Sequence, residues 1–221
     1  MGTADTAKIV NLRRVLAERF PGAVAGKRAG GVVATGLGCL DGPFGGGLPL
    51  GEVVEVVAGG RSSGAGLLLV ALLRRALADH PCVALVDGRD SFDPADLPPK
   101  LLRRLLWVRC QAVRDALRPV DALLRDGNVP LVVLDLRGNP PAELGSIPQH
   151  AWFRFLRVAE QAGTVLLALV PRPMACGARW RLRLDSRFDL GALERGQVEM
   201  LRSLRMEIVR ARGPGMAAAV G

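Results

Sequence analysis

A glycine-rich stretch between two apolar runs constrains the fold of this chain more than any other segment. Residues 59–66 read Gly-Gly-Arg-Ser-Ser-Gly-Ala-Gly, after the β-type run Glu52–Val57 and before the apolar run Leu67–Ala78. In a strand, glycine-rich turn and helix of this order, backbone N–H groups and the positive end of the helix converge on a site that binds phosphate. The sequence therefore predicts a phosphate-type loop between a buried strand and a buried helix.

Two positions of this loop differ from the form that hydrolyses nucleoside triphosphates. That form is G-x-x-x-x-G-K-S/T, in which the lysine contacts the phosphates and the hydroxyl binds magnesium. Ala65 stands at the lysine position and Gly66 at the hydroxyl position. We predict a degenerate phosphate loop made of Gly59, Gly60, Arg61, Ser62, Ser63, Gly64, Ala65 and Gly66. Arg61 leaves weak nucleotide or anion binding open, and the alternative is that the loop survives only as a tight turn.

The order of segments after the loop predicts an α/β fold. Strand-like apolar runs at 82–87, 105–110, 131–136 and 164–170 alternate with helical patterns at 67–78, 113–125 and 152–161. This alternation predicts a mostly parallel central sheet flanked by helices. From Arg179 the period changes to two, with Trp180, Leu182 and Leu184 alternating with arginines, and Met206 to Arg210 repeat the pattern. We expect these segments to add antiparallel strands at the C-terminal edge of the sheet.

The first residues of the chain predict a separate amphipathic helix. Asp5 or Thr6 begins it and Pro21-Gly22 ends it. Its apolar stripe consists of Ile9, Leu12, Leu16 and Phe20. We expect an N-terminal helix and linker over 1–33, a core over 34–212 and a tail over 213–221.

Composition narrows the class of protein. The chain has 221 residues, 49% hydrophobic and 23% charged, which is typical of one globular domain. No apolar run is long enough to span a bilayer and no signal peptide is visible, so we expect no membrane contact and a cytoplasmic location. Four scattered cysteines without a C-x-x-C pair predict no metal site. A net charge of +9 favours a polyanion partner, although an arginine-rich composition from a GC-rich genome is the alternative.

The segments around the loop resemble the core of the RecA recombinases. The resemblance lies in Ala34–Asp41, Gly46–Val57, the loop itself, Val83–Pro94, Leu131–Asp135 and His150–Pro171. Roughly residues 8–212 can be aligned with a shortened RecA core. The chain is more specifically similar to the degenerate RecA relatives of the ImuA/SulA family. ImuA-type proteins are accessory factors of the bacterial damage-induced mutagenesis complex.

The resemblance implies positions for the remaining catalytic groups. Asp135 matches the Walker B carboxylate, but the water-activating carboxylate falls on Arg89 and the γ-phosphate-sensing glutamine falls near Pro171 or Arg172. Phosphoryl transfer needs positioned charge at each of these places. We therefore expect no enzyme activity and no cofactor. For Asp135 the alternative to magnesium binding is a pair with the nearby Arg137 or a helix cap.

The resemblance also implies DNA-facing loops after the Walker B strand and after the next strand. These correspond to 136–149 and 171–178. The DNA-binding candidates are Arg137, Arg172, Arg179, Arg181 and Arg183, the last three on the outward face of a predicted edge strand. The alternative is that these charges discourage pairing of the edge with other sheets.

The function implied by the resemblance is that of an inactive adaptor in the DNA-damage (SOS) response. It would act in error-prone translesion synthesis, near the nucleoid, by binding RecA, an ImuB-type polymerase-like protein and DNA without sequence preference. Through the ImuB-type protein it would reach the error-prone replicative-type polymerase. The stripe of the N-terminal helix is expected to dock on RecA, unless it folds onto its own core or joins two copies. The alternatives are an SulA-like cell-division inhibitor and a divergent ATPase of RecA or circadian-clock type.

Overall fold

The computed structural model describes residues 31–60 and 62–211, together with Arg14 and Glu18. The predicted docking stripe of Ile9, Leu12, Leu16 and Phe20, the loop residue Arg61 and the predicted tail 213–221 lie outside the described residues.

The described chain alternates strands and helices over most of its length. The strands are β1 (Val32–Val33), β2 (Leu48–Pro49), β3 (Val53–Val57), β4 (Val83–Asp87), β5 (Leu105–Arg109), β6 (Leu131–Asp135), β7 (Val165–Val170), β8 (Trp180–Leu184) and β9 (Met206–Ala211). The helices are α1 (Gly38–Asp41), α2 (Ala65–Asp79), α3 (Pro99–Leu102), α4 (Val113–Asp126), α5 (Pro141–Gly145), α6 (Gln149–Ala162) and α7 (Gln197–Arg202), with 3-10 turns at Pro94–Asp96 and Leu190–Glu194.

The central sheet has seven strands in the order β5-β4-β6-β7-β3-β8-β9. Every neighbouring pair from β5 to β8 is parallel, and β9 is antiparallel to β8. The short strands β1 and β2 form a separate antiparallel pair. The predicted α/β class with a mostly parallel sheet is confirmed, and the architecture is consistent with a RecA-like core.

The C-terminal strands differ from the prediction in one respect. β8 and β9 are antiparallel to each other as expected, but β8 itself pairs with β3 in parallel. β8 is therefore an internal strand, and β9 forms the edge. The prediction that β8 lies at the edge is wrong because an alternating pattern shows which residues share a face, but does not show what lies beside the strand.

The sheet lies between two apolar layers. Val54 and Val56 of β3 pack in the layer that contains α2, whereas Val53 and Val57 pack in the layer that contains α4 and α6. Successive side chains of a strand point to opposite faces, so both faces of β3 need apolar residues. Glu55, between Val53 and Val57, is fully buried and is the exception in this strand.

A buried ion pair accounts for this exception. Glu55 on β3 is in register with Arg181 on β8, and the guanidinium of Arg181 donates to the Glu55 carboxylate. The same carboxylate accepts a hydrogen bond of 2.7 Å from the backbone N–H of Ala175. Arg181 also donates to the Ala175 carbonyl at 3.3 Å. The pair therefore joins β3, β8 and the segment that follows β7.

Replacing Arg181 with alanine is expected to destabilise the fold strongly. The change leaves the fully buried carboxylate of Glu55 without its cation, and breaking a buried pair in this way costs about 3–5 kcal/mol. The measurement is the free energy of unfolding from urea titration.

The matched control is Arg183→Ala on the same strand and the same face. Arg183 is 51% exposed and pairs with the exposed carboxylates of Asp185 and Glu207. An exposed pair contributes at most about 1 kcal/mol, so this variant should unfold nearly as the wild type does. Equal losses for the two variants would contradict the role assigned to the buried pair.

Candidate phosphate-loop site

The glycine-rich loop lies where β3 passes into α2, as the sequence predicted. Gly64 is the residue before the helix and has a left-handed backbone, with a φ of 79°. Ser62 is also left-handed, with a φ of 58°. No side chain of the described chain caps α2. The first N–H groups of this helix are therefore left for another acceptor.

Contacts from distant segments determine the shape of the loop. A Cβ atom on Gly59 would lie 2.5 Å from the carbonyl oxygen of Pro171. A Cβ atom on Gly64 would lie 2.6 Å from the ring of Phe188 and 2.7 Å from the side chain of Leu204. The Phe188 N–H donates to the Ser62 carbonyl at 3.0 Å. Both glycines are thus needed for close packing, and the C-terminal segment holds the loop from outside.

The loop borders an open cavity of about 330 Å³. It is lined by residues 58–60 and 62–66 together with Arg137 and Pro171. Ser63 is only 5% exposed. The volume is at the lower end of the ~300–1,000 Å³ range of small-molecule sites.

The two substituted loop positions supply neither a cation nor a hydroxyl to this cavity. Ala65 is 5% exposed and packs in the layer that contains α2. A Cβ atom on Gly66 would meet nothing within 4 Å. The groups that bind the phosphates and the magnesium of a nucleotide are therefore missing where the motif requires them.

The Walker B-like carboxylate is held by an arginine. Asp135 ends β6 and is 2% exposed. Arg137 donates to it through Nε at 2.9 Å, through Nη2 at 2.5 Å and through its backbone N–H at 3.1 Å. This bidentate ion pair is the alternative to magnesium binding that the sequence left open. A metal ion at Asp135 would have to displace the guanidinium of Arg137. A magnesium-bound nucleotide therefore does not fit the residues present.

The side chain at the expected water-activating position bonds elsewhere. Arg89 donates to the Gln111 carbonyl at 2.7 Å, and its guanidinium lies 3.6 Å from the Glu143 carboxylate. Asp87, at the end of β4, is fully buried and accepts a hydrogen bond of 2.8 Å from the Phe92 N–H. Neither residue lines the cavity, and none of the described residues that do so is acidic.

A small polar cluster that the sequence did not reveal tethers the segment after β6. Asn139 is 4% exposed and donates to the Gly88 carbonyl at 2.8 Å. Glu143 accepts a hydrogen bond of 3.1 Å from the Val113 N–H at the start of α4. These partners lie 51 and 30 residues apart, so no local pattern marks them. The segment that the resemblance assigns to DNA is thus fastened to β4 and α4.

The arginine candidates for DNA binding differ in their surroundings. Arg172 is exposed and donates weakly to the Pro141 carbonyl at 3.4 Å. Arg179 pairs with Glu52 at 2.6 Å. The hydrogen bond from Arg183 to Asp185 raises the pKa of this guanidinium, and the charges of Asp185 and Glu207 add to the effect. The Arg181 side chain is only 11% exposed, which corrects the expectation that it faces outward, because it bonds to the buried Glu55 and to the Ala175 carbonyl after β7.

Direct DNA contact by Arg137, Arg172, Arg179 and Arg183 stays a prediction, and Arg137 differs from the others in that it lines the loop cavity.

Among the described residues no helix has the length and hydrophobicity to cross a membrane. The same part of the chain holds no group of three or more His, Cys, Asp or Glu side chains placed to bind a metal ion. No protein-family model matches the sequence.

Adding a methyl group at Gly64 is expected to lower stability. Gly64→Ala places a side chain on a left-handed residue, in contact with Phe188 and Leu204. Strain and overpacking together should cost about 2–4 kcal/mol. The measurement is the free energy of unfolding in urea.

Gly66→Ala is the matched control two residues further on. Its new methyl group would lie in open space within a helix, so the free energy of unfolding should stay the same or rise by up to about 1 kcal/mol. A Gly64→Ala variant as stable as the wild type would rule out the packing of the C-terminal segment against the loop.

Proposed function

We propose that this chain is a catalytically inactive RecA-like adaptor that acts in damage-induced translesion synthesis. The observation that carries the proposal is the Asp135–Arg137 pair beside a phosphate loop without lysine or hydroxyl. Phosphoryl transfer depends almost entirely on charge positioned around the phosphate and its metal. Here the carboxylate is already neutralised and the other positions hold Ala65, Gly66 and Arg89.

The intact packing of the core supports a binding role. All five residues of β3, β4 and β6 are buried, and the loop is packed tightly, although its catalytic groups are replaced. A protein that retains this packed core but lacks the catalytic groups is suited to binding other molecules through its surface. The resemblance to ImuA-type proteins names the partners: RecA, an ImuB-type polymerase-like protein and, through it, the error-prone replicative-type polymerase. Exposed arginines such as Arg172 leave room for contact with DNA phosphates.

The purified protein is expected to release no phosphate from ATP, with or without single-stranded DNA. Ala65→Lys combined with Gly66→Thr should not restore hydrolysis, because Arg137 still holds Asp135 and Arg89 still occupies the water-activating position. The measurement is steady-state phosphate release, with a RecA preparation as the positive control. Phosphate release by the wild type above the protein-free rate would favour the divergent ATPase and contradict the proposal of an inactive adaptor.

The adaptor role predicts capture of RecA through the N-terminal stripe. Leu12→Asp combined with Leu16→Asp should abolish capture of RecA filaments, because carboxylates cannot be buried in an apolar contact. Arg14→Gln, which changes an exposed residue of the same segment, is the control and should leave capture unchanged. Circular dichroism checks that each variant is folded.

Two outcomes of this experiment would contradict the expected result. Capture of RecA that is unaffected by the double substitution contradicts the assignment of the contact to the N-terminal stripe. Capture of the tubulin-like division protein instead of RecA supports the SulA-like alternative.

A further inference from the structure

We propose that an apolar patch beside α6 is a docking site for an acidic peptide segment of a partner protein, which inserts an apolar side chain next to Phe153. The patch consists of Phe153 and Leu156 on α6, together with Met174, Cys176 and Gly177 from the segment between β7 and β8. This inference goes beyond the RecA contact assigned to the N-terminal stripe and does not depend on it.

Phe153 is exposed although it is a large apolar residue. It is 55% exposed, whereas the other aromatic residues that the structure describes are buried or half-buried. Its helix already contributes Trp152 and Phe155 to the core, at 2% and 0% exposure. Phe153 is therefore not needed for the packing of α6, and exposed aromatic side chains are enriched where proteins bind one another.

The segment between β7 and β8 extends the apolar surface around this ring. A Cβ atom on Gly177 would lie 2.4 Å from the side chain of Leu156 and 3.1 Å from the ring of Phe153, so the bare backbone lies directly against both. Leu156 and Met174 are half-buried and pack against the core beneath. The ring thus stands beside a shallow apolar surface on which a partner can bury one side chain.

Positive charge borders the patch. Arg157 is exposed and lies one helical turn after Phe153, on the same side of α6. Arg210 on β9 donates to the carbonyl of Cys176 at 3.2 Å, which places its guanidinium at the border of the patch. The first carboxylate after Phe153 on α6 is Glu160, two turns away. The border therefore favours carboxylates on whatever binds the patch.

This charge disfavours other parts of the same chain as the occupant. A second copy in a two-fold contact would bring the same patch of each copy together and place arginines against arginines. The N-terminal residues 8–20 carry four basic side chains and one acidic side chain, so they match the border poorly. A peptide with an apolar anchor between carboxylates matches both the ring and its border.

A nucleic-acid strand fits less well than an acidic peptide. Its affinity depends on many contacts between cations and phosphates. Arg179, just before β8, and Arg183, within it, already lie against carboxylates. Leu156 and Met174 are aliphatic and offer no flat ring on which a base could stack, but they suit an apolar side chain.

The test is fluorescence polarisation of the full chain with the fluorescein-labelled peptide Asp-Glu-Asp-Leu-Phe-Asp-Glu-Asp. We expect saturable binding. Phe153→Ala should raise the Kd at least about ten-fold, because it removes the central aromatic contact. Arg157→Gln should raise the Kd about three-fold, because it removes one exposed cation from the border. Circular dichroism checks that each variant is folded.

Matched controls separate the patch from the general properties of the protein. Leu190→Ala removes a side chain that is 84% exposed and lies outside the patch. Arg75→Gln removes a half-exposed cation from α2, which packs on the opposite face of the sheet. Each should change the Kd by less than about two-fold. A peptide with Ala-Ala in place of Leu-Phe, and one with Asn and Gln in place of the acids, should each bind at least about ten-fold more weakly.

Several results would overturn the proposal. They are no saturable binding of the peptide by the folded wild type, equal binding by Phe153→Ala, and equal binding of the uncharged peptide. Binding of a single-stranded oligonucleotide that Phe153→Ala weakens, without binding of the peptide, assigns the patch to DNA instead. Self-association in sedimentation that Phe153→Ala abolishes assigns the patch to a second copy. RecA capture is assigned to the N-terminal stripe and peptide binding to the patch, so each can fail without the other.

Discussion

The arrangement of the loop depends on the buried pair of Glu55 and Arg181. Their bond links β8 to its parallel neighbour β3, and the bonds from both side chains to Ala175 attach the segment after β7. That segment begins with Pro171, whose carbonyl oxygen lies against Gly59. The chain after β8 then passes to the outer side of the loop. A single charge pair inside an apolar layer thus contacts both segments that surround the cavity.

Packing at the loop follows from this placement. Phe188 and Leu204 come after β8 in the chain, and both occupy the space that a Cβ of Gly64 would need. A glycine serves here for close approach as well as for its left-handed backbone. The loop is held from the outside by side chains and on its inner side borders an open cavity. Its conformation therefore requires neither lysine nor metal.

Arginine side chains supply the positive charges at the site. Arg137 satisfies the carboxylate that ends β6, whereas Arg89 donates to the carbonyl of Gln111, which precedes α4. Arginine suits these positions because its planar group forms two parallel bonds to a carboxylate and stays charged at any pH that the protein meets. Arg179, just before β8, and Arg183, within it, each lie against carboxylates in the same way. The net charge of +9 therefore overstates the positive charge that these strands present to DNA.

The sequence by itself determined the class of fold and the loss of the motif groups. Apolar runs that alternate with helical patterns require a buried parallel sheet, and the substitutions at Ala65 and Gly66 can be read directly from the motif. The pairing of Asp135 with Arg137 was among the open alternatives, because the two residues are neighbours in the chain. Only the tertiary structure decided that β8 is internal, that Arg181 pairs with the buried Glu55 at a separation of 126 residues, and that Phe188 packs against Gly64. Local periodicity reports which face of a strand is apolar, whereas the neighbour of that strand depends on contacts between distant segments.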